Sequence, residues 1–138
     1  MARWEEADFD YDSDANELRE QFIARMKEQG LTVVLPKDDE LQIDIDCDAQ
    51  YELFQRMYTR LRKEFSEVEL VSATISKGGL PGRHIVVKLP FELETPMERI
   101  AFQAALGSDP MRELLSIFRV YNGDSHPTLL VEKKWEKK

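Results

Sequence analysis

The sequence predicts an α+β domain, a two-layer sandwich of ferredoxin-like or RNA-recognition-motif-like type with the order βαββαβ and an extra N-terminal helix and strand. Three observations predict it. Residues 41–46, Leu-Gln-Ile-Asp-Ile-Asp, alternate apolar and polar as a half-buried strand does. Tyr51, Phe54, Met57, Tyr58, Leu61 and Phe65 then fall on one helical stripe. Two further alternating segments, 68–75 and 84–89, are joined by a connector rich in Gly and Pro, the composition of a hairpin.

At 138 residues the chain is long enough for one domain with one core. Residues 1–12 are acidic and aperiodic and are expected to form a flexible arm, leaving residues 13–138 as the domain. A helix is expected from Ser13 or Asp14, because Leu18, Phe22 and Met26 recur every four residues and Gly30 supplies a left-handed stop. Residues 31–35 read as a strand, 36–40 as a turn, and 41–46 as the hairpin partner of the first strand. Asp48 is expected to cap the helix bearing the aromatic stripe. Val68 to Ile75 is rich in β-branched residues, with Val71, Ala73 and Ile75 on one face and Leu70, Ser72 and Thr74 on the other. In the next strand Ile85, Val87 and Leu89 lie opposite His84, Val86 and Lys88. Thr95-Pro96 combines a cap with a first-turn proline and opens a helix to about Leu106. Ser108-Asp109-Pro110 breaks it and starts another to Tyr121, and 128–131 is a last short strand.

Composition narrows the function. With 27 acidic against 19 basic residues, a formal charge of −8 and a pI near 4.8, the chain does not look like a non-specific duplex binder, although the balance is compatible with a local basic cleft drawn from Lys77, Arg83, Lys88, Arg99, Arg112 and Arg119 in the second half. It has no apolar run near the 20 residues of a membrane span, no apolar leader at its start, and a single cysteine, Cys47, so a cytoplasmic protein without a membrane role is expected. The aromatics at helical spacing belong to a core rather than to a base-stacking face, which argues against an ordinary RNA-binding module.

Strand parity concentrates the chemistry. If Leu41, Ile43 and Ile45 face the helices, then Asp44, Asp46, Ser72, Thr74, His84 and Lys88 share the opposite, open face. Paired carboxylates on one face suit a divalent cation. Solvent-facing acids on an edge strand would show the same spacing, as a hydrogen-bonded surface histidine would explain His84 and a helix cap Asp109. An EF-hand is excluded, since Ala49 stands where that loop needs glycine and Gln55 where it needs a bidentate glutamate. Residues 76–84, Ser-Lys-Gly-Gly-Leu-Pro-Gly-Arg-His, can bring backbone amides and the cations Lys77 and Arg83 toward phosphate, although no Walker pattern follows the glycines.

The Asp-x-Asp strand, the Ser/Gly-rich turn into a histidine-led strand and the later Asp109 together resemble the catalytic core of the archaeo-eukaryotic primase and primase-polymerase superfamily, over about residues 41–131. The resemblance implies two-metal nucleotidyl transfer. It assigns Asp44 and Asp46 as catalytic acids holding Mg²⁺ or Mn²⁺, Asp109 as the third metal acid, and His84 as the catalytic histidine on the nucleotide phosphates. Ser76, Lys77, Arg83, Lys88 and Arg112 are then candidate phosphate contacts, and nucleoside triphosphate, single-stranded nucleic acid and a replication-protein partner the implied ligands. The chain carries neither the flanking module nor the zinc motif of complete primases, which implies a minimal or degenerate member. Residues 106–113 also resemble a stretch found in small phage proteins, implying a role in phage DNA replication. The rival expectations are a non-catalytic acidic phage accessory protein that binds a protein partner, and a metal-dependent nuclease using the same carboxylates.

Overall fold

A computed structural model of the chain describes residues 14–76 and 78–133, so the expected arm at 1–12 and Lys77 lie outside the described residues. The elements are α1 (Ala15–Glu28), β1 (Leu31–Val34), β2 (Glu40–Ile45), α2 (Asp48–Glu64), β3 (Glu69–Ile75), β4 (Arg83–Lys88), α3 (Pro96–Ala105), α4 (Pro110–Tyr121) and β5 (Leu130–Lys133). They form a mixed α+β structure with two small antiparallel sheets, one of three strands in the order β2-β4-β3 and one of two, β1-β5.

Local chemistry explains most boundaries. Asp14 caps α1 by accepting from the amides of Asn16 and Glu17, and Gly30 follows the helix at φ 77°. Thr95 caps α3 by accepting from the amide of Glu98, whose own carboxylate accepts from the amide of Glu94. Asp48 is not the cap of α2 but its first residue. Cys47 holds the cap position in extended backbone without a side-chain hydrogen bond, and the Asp48 carboxylate sits in the first turn, where the helix dipole favours it.

The alternation of β2 is realised in full. Leu41, Ile43 and Ile45 are completely buried and join Ile85, Val87, Phe54 and Leu106 in the core between the sheet and helices α2 and α3. Truncating one of these, such as Ile43→Ala, is expected to cost about 2–5 kcal/mol. No residue of β3 enters that core: Leu70, Val71 and Ile75 are 49%, 50% and 64% exposed. Strand β3 is the edge of the sheet, and a register shift between Leu70 and Ser72 breaks its expected alternation at Val71.

The expected hairpin of β1 with β2 does not form; β1 pairs with β5, and β2 pairs with β4. The outer edge of β2 shows why. Its outward backbone groups are already satisfied by side chains and one amide of other elements: the carbonyl of Glu40 by Arg99 Nε at 2.9 Å, the amide of Gln42 by Gln103 Oε1 at 2.8 Å, the carbonyl of Gln42 by Arg112, the amide of Asp44 by Ser108 Oγ at 3.0 Å, and the carbonyl of Asp44 by the amide of Asp109 at 2.7 Å. No row of free groups remains for another strand to pair with. The β1-β5 ribbon instead lies across the face expected to be open. There Val34 accepts from Gln42 Nε2, and Glu132 approaches both His84 and Thr74. That face is accordingly covered, with Gln42 1% and His84 9% exposed.

Among the described residues, no helix is long and apolar enough to cross a membrane.

Candidate metal centre

Three carboxylates converge at the end of β2. Asp44 rides the strand, Asp46 follows its last residue, and Asp109 stands at the cap of α4, with ligand oxygens of all three within 4.8 Å of one another. Sequence separation hides this convergence; the turn between α3 and α4 creates it. Gly107 adopts φ 87°, and a Cβ there would stand 2.9 Å from the carbonyl oxygen of Gln50 and 3.2 Å from the amide of Phe54. Only glycine fits both the left-handed backbone and this approach to α2. The close approach lets Ser108 and Asp109 reach the edge of β2. Asp109 therefore caps α4, accepting from the amide of Met111, and also presents its carboxylate to Asp44 and Asp46.

Electrostatics mark the cluster as short of positive charge. The carboxyl of Asp44 is raised above its usual value by burial and by Asp109, against the opposing pull of Arg112 and His84. Asp46 is raised by partial burial of its carboxyl, by the charges of Asp44 and Asp109, and by a hydrogen bond with Asp109. Asp46 is exposed as a residue, so water screens part of this repulsion, but its carboxyl still faces two others. A shared proton or a cation would relieve the repulsion among acids packed this way.

His84 occupies the centre of the sheet, directly across from Asp44 on one side and Thr74 on the other. Its Nε2 lies 3.7 Å from Asp44 Oδ1 and its Nδ1 3.6 Å from Glu132 Oε1. The structure thus brings together four of the residues singled out in the sequence: Asp44, Asp46, Asp109 and His84.

Of the expected phosphate contacts, Arg83, Lys88 and Ser76 are placed elsewhere. Arg83 has the parity of Ile85 and Val87, faces the helical layer, and stacks its guanidinium 3.6 Å over the ring of Tyr51. Lys88 is four residues beyond His84 along β4, roughly 13 Å away at strand spacing, and pairs weakly with Asp39 at 4.0 Å. Ser76 is folded into its own loop, its amide bonded to the carbonyl of Gly82 and its Oγ filling the space beside that glycine. Arg112 is near Asp44 in charge but its guanidinium is engaged structurally. It donates to the carbonyls of Gln42 and Leu129, to the Gln42 side chain and to Glu113 at 2.9 Å, with its side chain only 14% exposed.

Sequence reasoning missed Glu132, Gln103 and Glu113. Glu132 lies one residue beyond the expected end of the last strand, and only the pairing of β5 with β1 carries it to His84. Gln103 and Glu113 are 0% and 2% exposed and bond to each other at 2.9 Å, on helices whose amphipathic pattern draws attention to their apolar residues.

No protein-family model, curated protein or solved structure matches this chain.

Proposed function

We propose that the protein is a divalent-cation-dependent nucleotide-binding or nucleotidyl-transfer domain of primase-polymerase type, with a ferredoxin-like frame and a cytoplasmic role in phage DNA replication. One observation carries the reading: the acids of the Asp-x-Asp strand and Asp109 meet within 4.8 Å beside a buried histidine. Asp44, Asp46 and Asp109 would hold Mg²⁺ or Mn²⁺, with water and triphosphate oxygens completing the shell. A bound cation supplies charge neutralisation at the phosphates and activation of an attacking hydroxyl. The chain's own contributions are the fixed carboxylates, the orientation given by Ser108 and the Asp109 amide at the strand edge, and a buried imidazole beside them. Single-stranded nucleic acid would be the template and a replication protein the partner. Titration with a nucleoside triphosphate and Mn²⁺ tests the reading directly. Nucleotide binding that requires Mn²⁺ and disappears in Asp46→Asn supports it; no nucleotide binding in either condition counts against it.

A second reading, a non-catalytic accessory protein that docks a protein partner, is favoured by helix α4. Its buried residues include Glu113 and Ser116, whereas Met111, Leu114, Leu115 and Tyr121 are 61%, 43%, 36% and 81% exposed. Such an outward apolar stripe is a recognised mark of association.

A further inference from the structure

We propose that His84 is a metal ligand through Nε2, on a divalent transition-metal cation shared with Asp44, and that Glu132 of β5 is the positioning residue that turns the imidazole toward it. The inference rests on the cation-binding reading above and adds the nitrogen donor, and hence the class of metal.

His84 is 9% exposed, yet neither ring nitrogen has a hydrogen-bond partner among the described residues. Nδ1 is buried without a hydrogen bond, and Nε2 faces Asp44 Oδ1 at 3.7 Å. A buried ring nitrogen without a hydrogen bond, held only at ion-pair distance from a carboxylate, carries a desolvation cost that calls for an explanation. The 3.7 Å gap is too long for a hydrogen bond. It matches two donors of one cation, which at about 2.1 Å from the ion stand roughly 3.0 to 4.2 Å apart. His84 lies outside the set of acids within 4.8 Å of one another and reaches it through Asp44, whose two carboxylate oxygens allow it to serve both.

The far side of the ring has the matching feature. Glu132 Oε1 sits 3.6 Å from Nδ1 and accepts from Thr74 Oγ1 at 3.4 Å, so the carboxylate is held in place by β3. A metal-bound histidine characteristically gives its second N–H to a carboxylate, which fixes the tautomer and ring angle. Asp44, His84 and Glu132 stand in that order, with Glu132 still just beyond hydrogen-bond distance of Nδ1 at 3.6 Å, so the N–H bond would close only as the ring turns onto a cation. An imidazole donor among carboxylates favours first-row transition ions such as Mn²⁺, Fe²⁺ or Co²⁺ over Mg²⁺ and Ca²⁺.

Pulsed electron paramagnetic resonance of the full chain loaded with Mn²⁺ reads the donor atom itself. Wild type is expected to show coupling of Mn²⁺ to a directly bound ¹⁴N, and His84→Gln to lose it. Glu132→Gln, which leaves the imidazole in place, should keep the coupling while binding Mn²⁺ about 10- to 100-fold more weakly. This variant keeps the test decisive even if His84→Gln fails to fold. Mn²⁺ bound to wild type without nitrogen coupling would overturn the histidine assignment and leave the carboxylate site standing. Failure of wild type to bind Mn²⁺ at all, with or without nucleotide, would overturn both.

Discussion

The amide of Asp109 donates to the carbonyl of Asp44 at 2.7 Å, tying the start of α4 to the edge of β2. This one bond delivers the third carboxylate to the other two, and it depends on Gly107 at φ 87° immediately before Ser108. Gly107→Ala is therefore expected to lose at least about 1–2 kcal/mol from left-handed backbone alone, and to weaken Mn²⁺ binding by displacing Asp109. Denaturant unfolding and Mn²⁺ titration of the same variant check both effects.

Asp109 combines a structural and a charged role that two substitutions separate. Asp109→Asn keeps a capping side chain, so its stability should stay near that of wild type while cation binding falls. Asp109→Ala loses the cap as well and should cost about 0.5–2 kcal/mol in addition. Thermal melts with and without Mn²⁺ distinguish the pair.

The raised carboxyls of Asp44 and Asp46 set a pH dependence whose direction follows from linkage. The folded chain retains protons that the unfolded chain has already released, so this contribution to stability is present below the unfolded value and lost as pH rises through the folded ones. Without divalent ions, Asp46→Asn should therefore match wild type near pH 4 and become the more stable of the two as pH approaches 7. Adding Mn²⁺ at pH 7 should reverse the order, since only wild type gains the cation. Melting temperatures across pH with a chelator, then with Mn²⁺, show whether the order changes.

Arg112 separates a clasp from a phosphate contact. Its bonds to the carbonyls of Gln42 and Leu129 and to buried Glu113 mean that Arg112→Met strands a buried carboxylate, at a cost of about 3–5 kcal/mol. A phosphate-binding arginine would instead leave stability unchanged and weaken nucleotide affinity. Urea unfolding beside nucleotide titration decides between them.

Features set by local periodicity were legible in the sequence. Leu41, Ile43 and Ile45 face the core as their spacing requires, Thr95 and Asp109 cap helices, and the βαββ run from β2 to β4 yields neighbouring strands in the order β2-β4-β3. Parity also put Asp44 and His84 on one face, and they are cross-strand partners. Features set by long-range competition were not. Whether β2 pairs with β1 depends on what else reaches its edge, and that is decided by Gln103, Ser108 and Arg112, 61 to 70 residues away. Arg83 looked like a phosphate cation because it precedes His84 in a glycine-rich loop, but period-2 alternation sends neighbours to opposite faces, and it stacks on Tyr51. Glu132 carried no local signal, because its meaning comes from a ribbon whose pairing spans the described chain.

The most direct test of the cation site is calorimetric titration of Mn²⁺ into wild type and Asp44→Asn, each with and without a nucleoside triphosphate. Asn is nearly isosteric with Asp and keeps the backbone bonds to Ser108 and Asp109, so stability should change by about 1 kcal/mol or less. The expected result is weak Mn²⁺ binding to wild type that tightens with nucleotide, and loss of both in a folded Asp44→Asn. Equal Mn²⁺ and nucleotide affinities in the two proteins would contradict it.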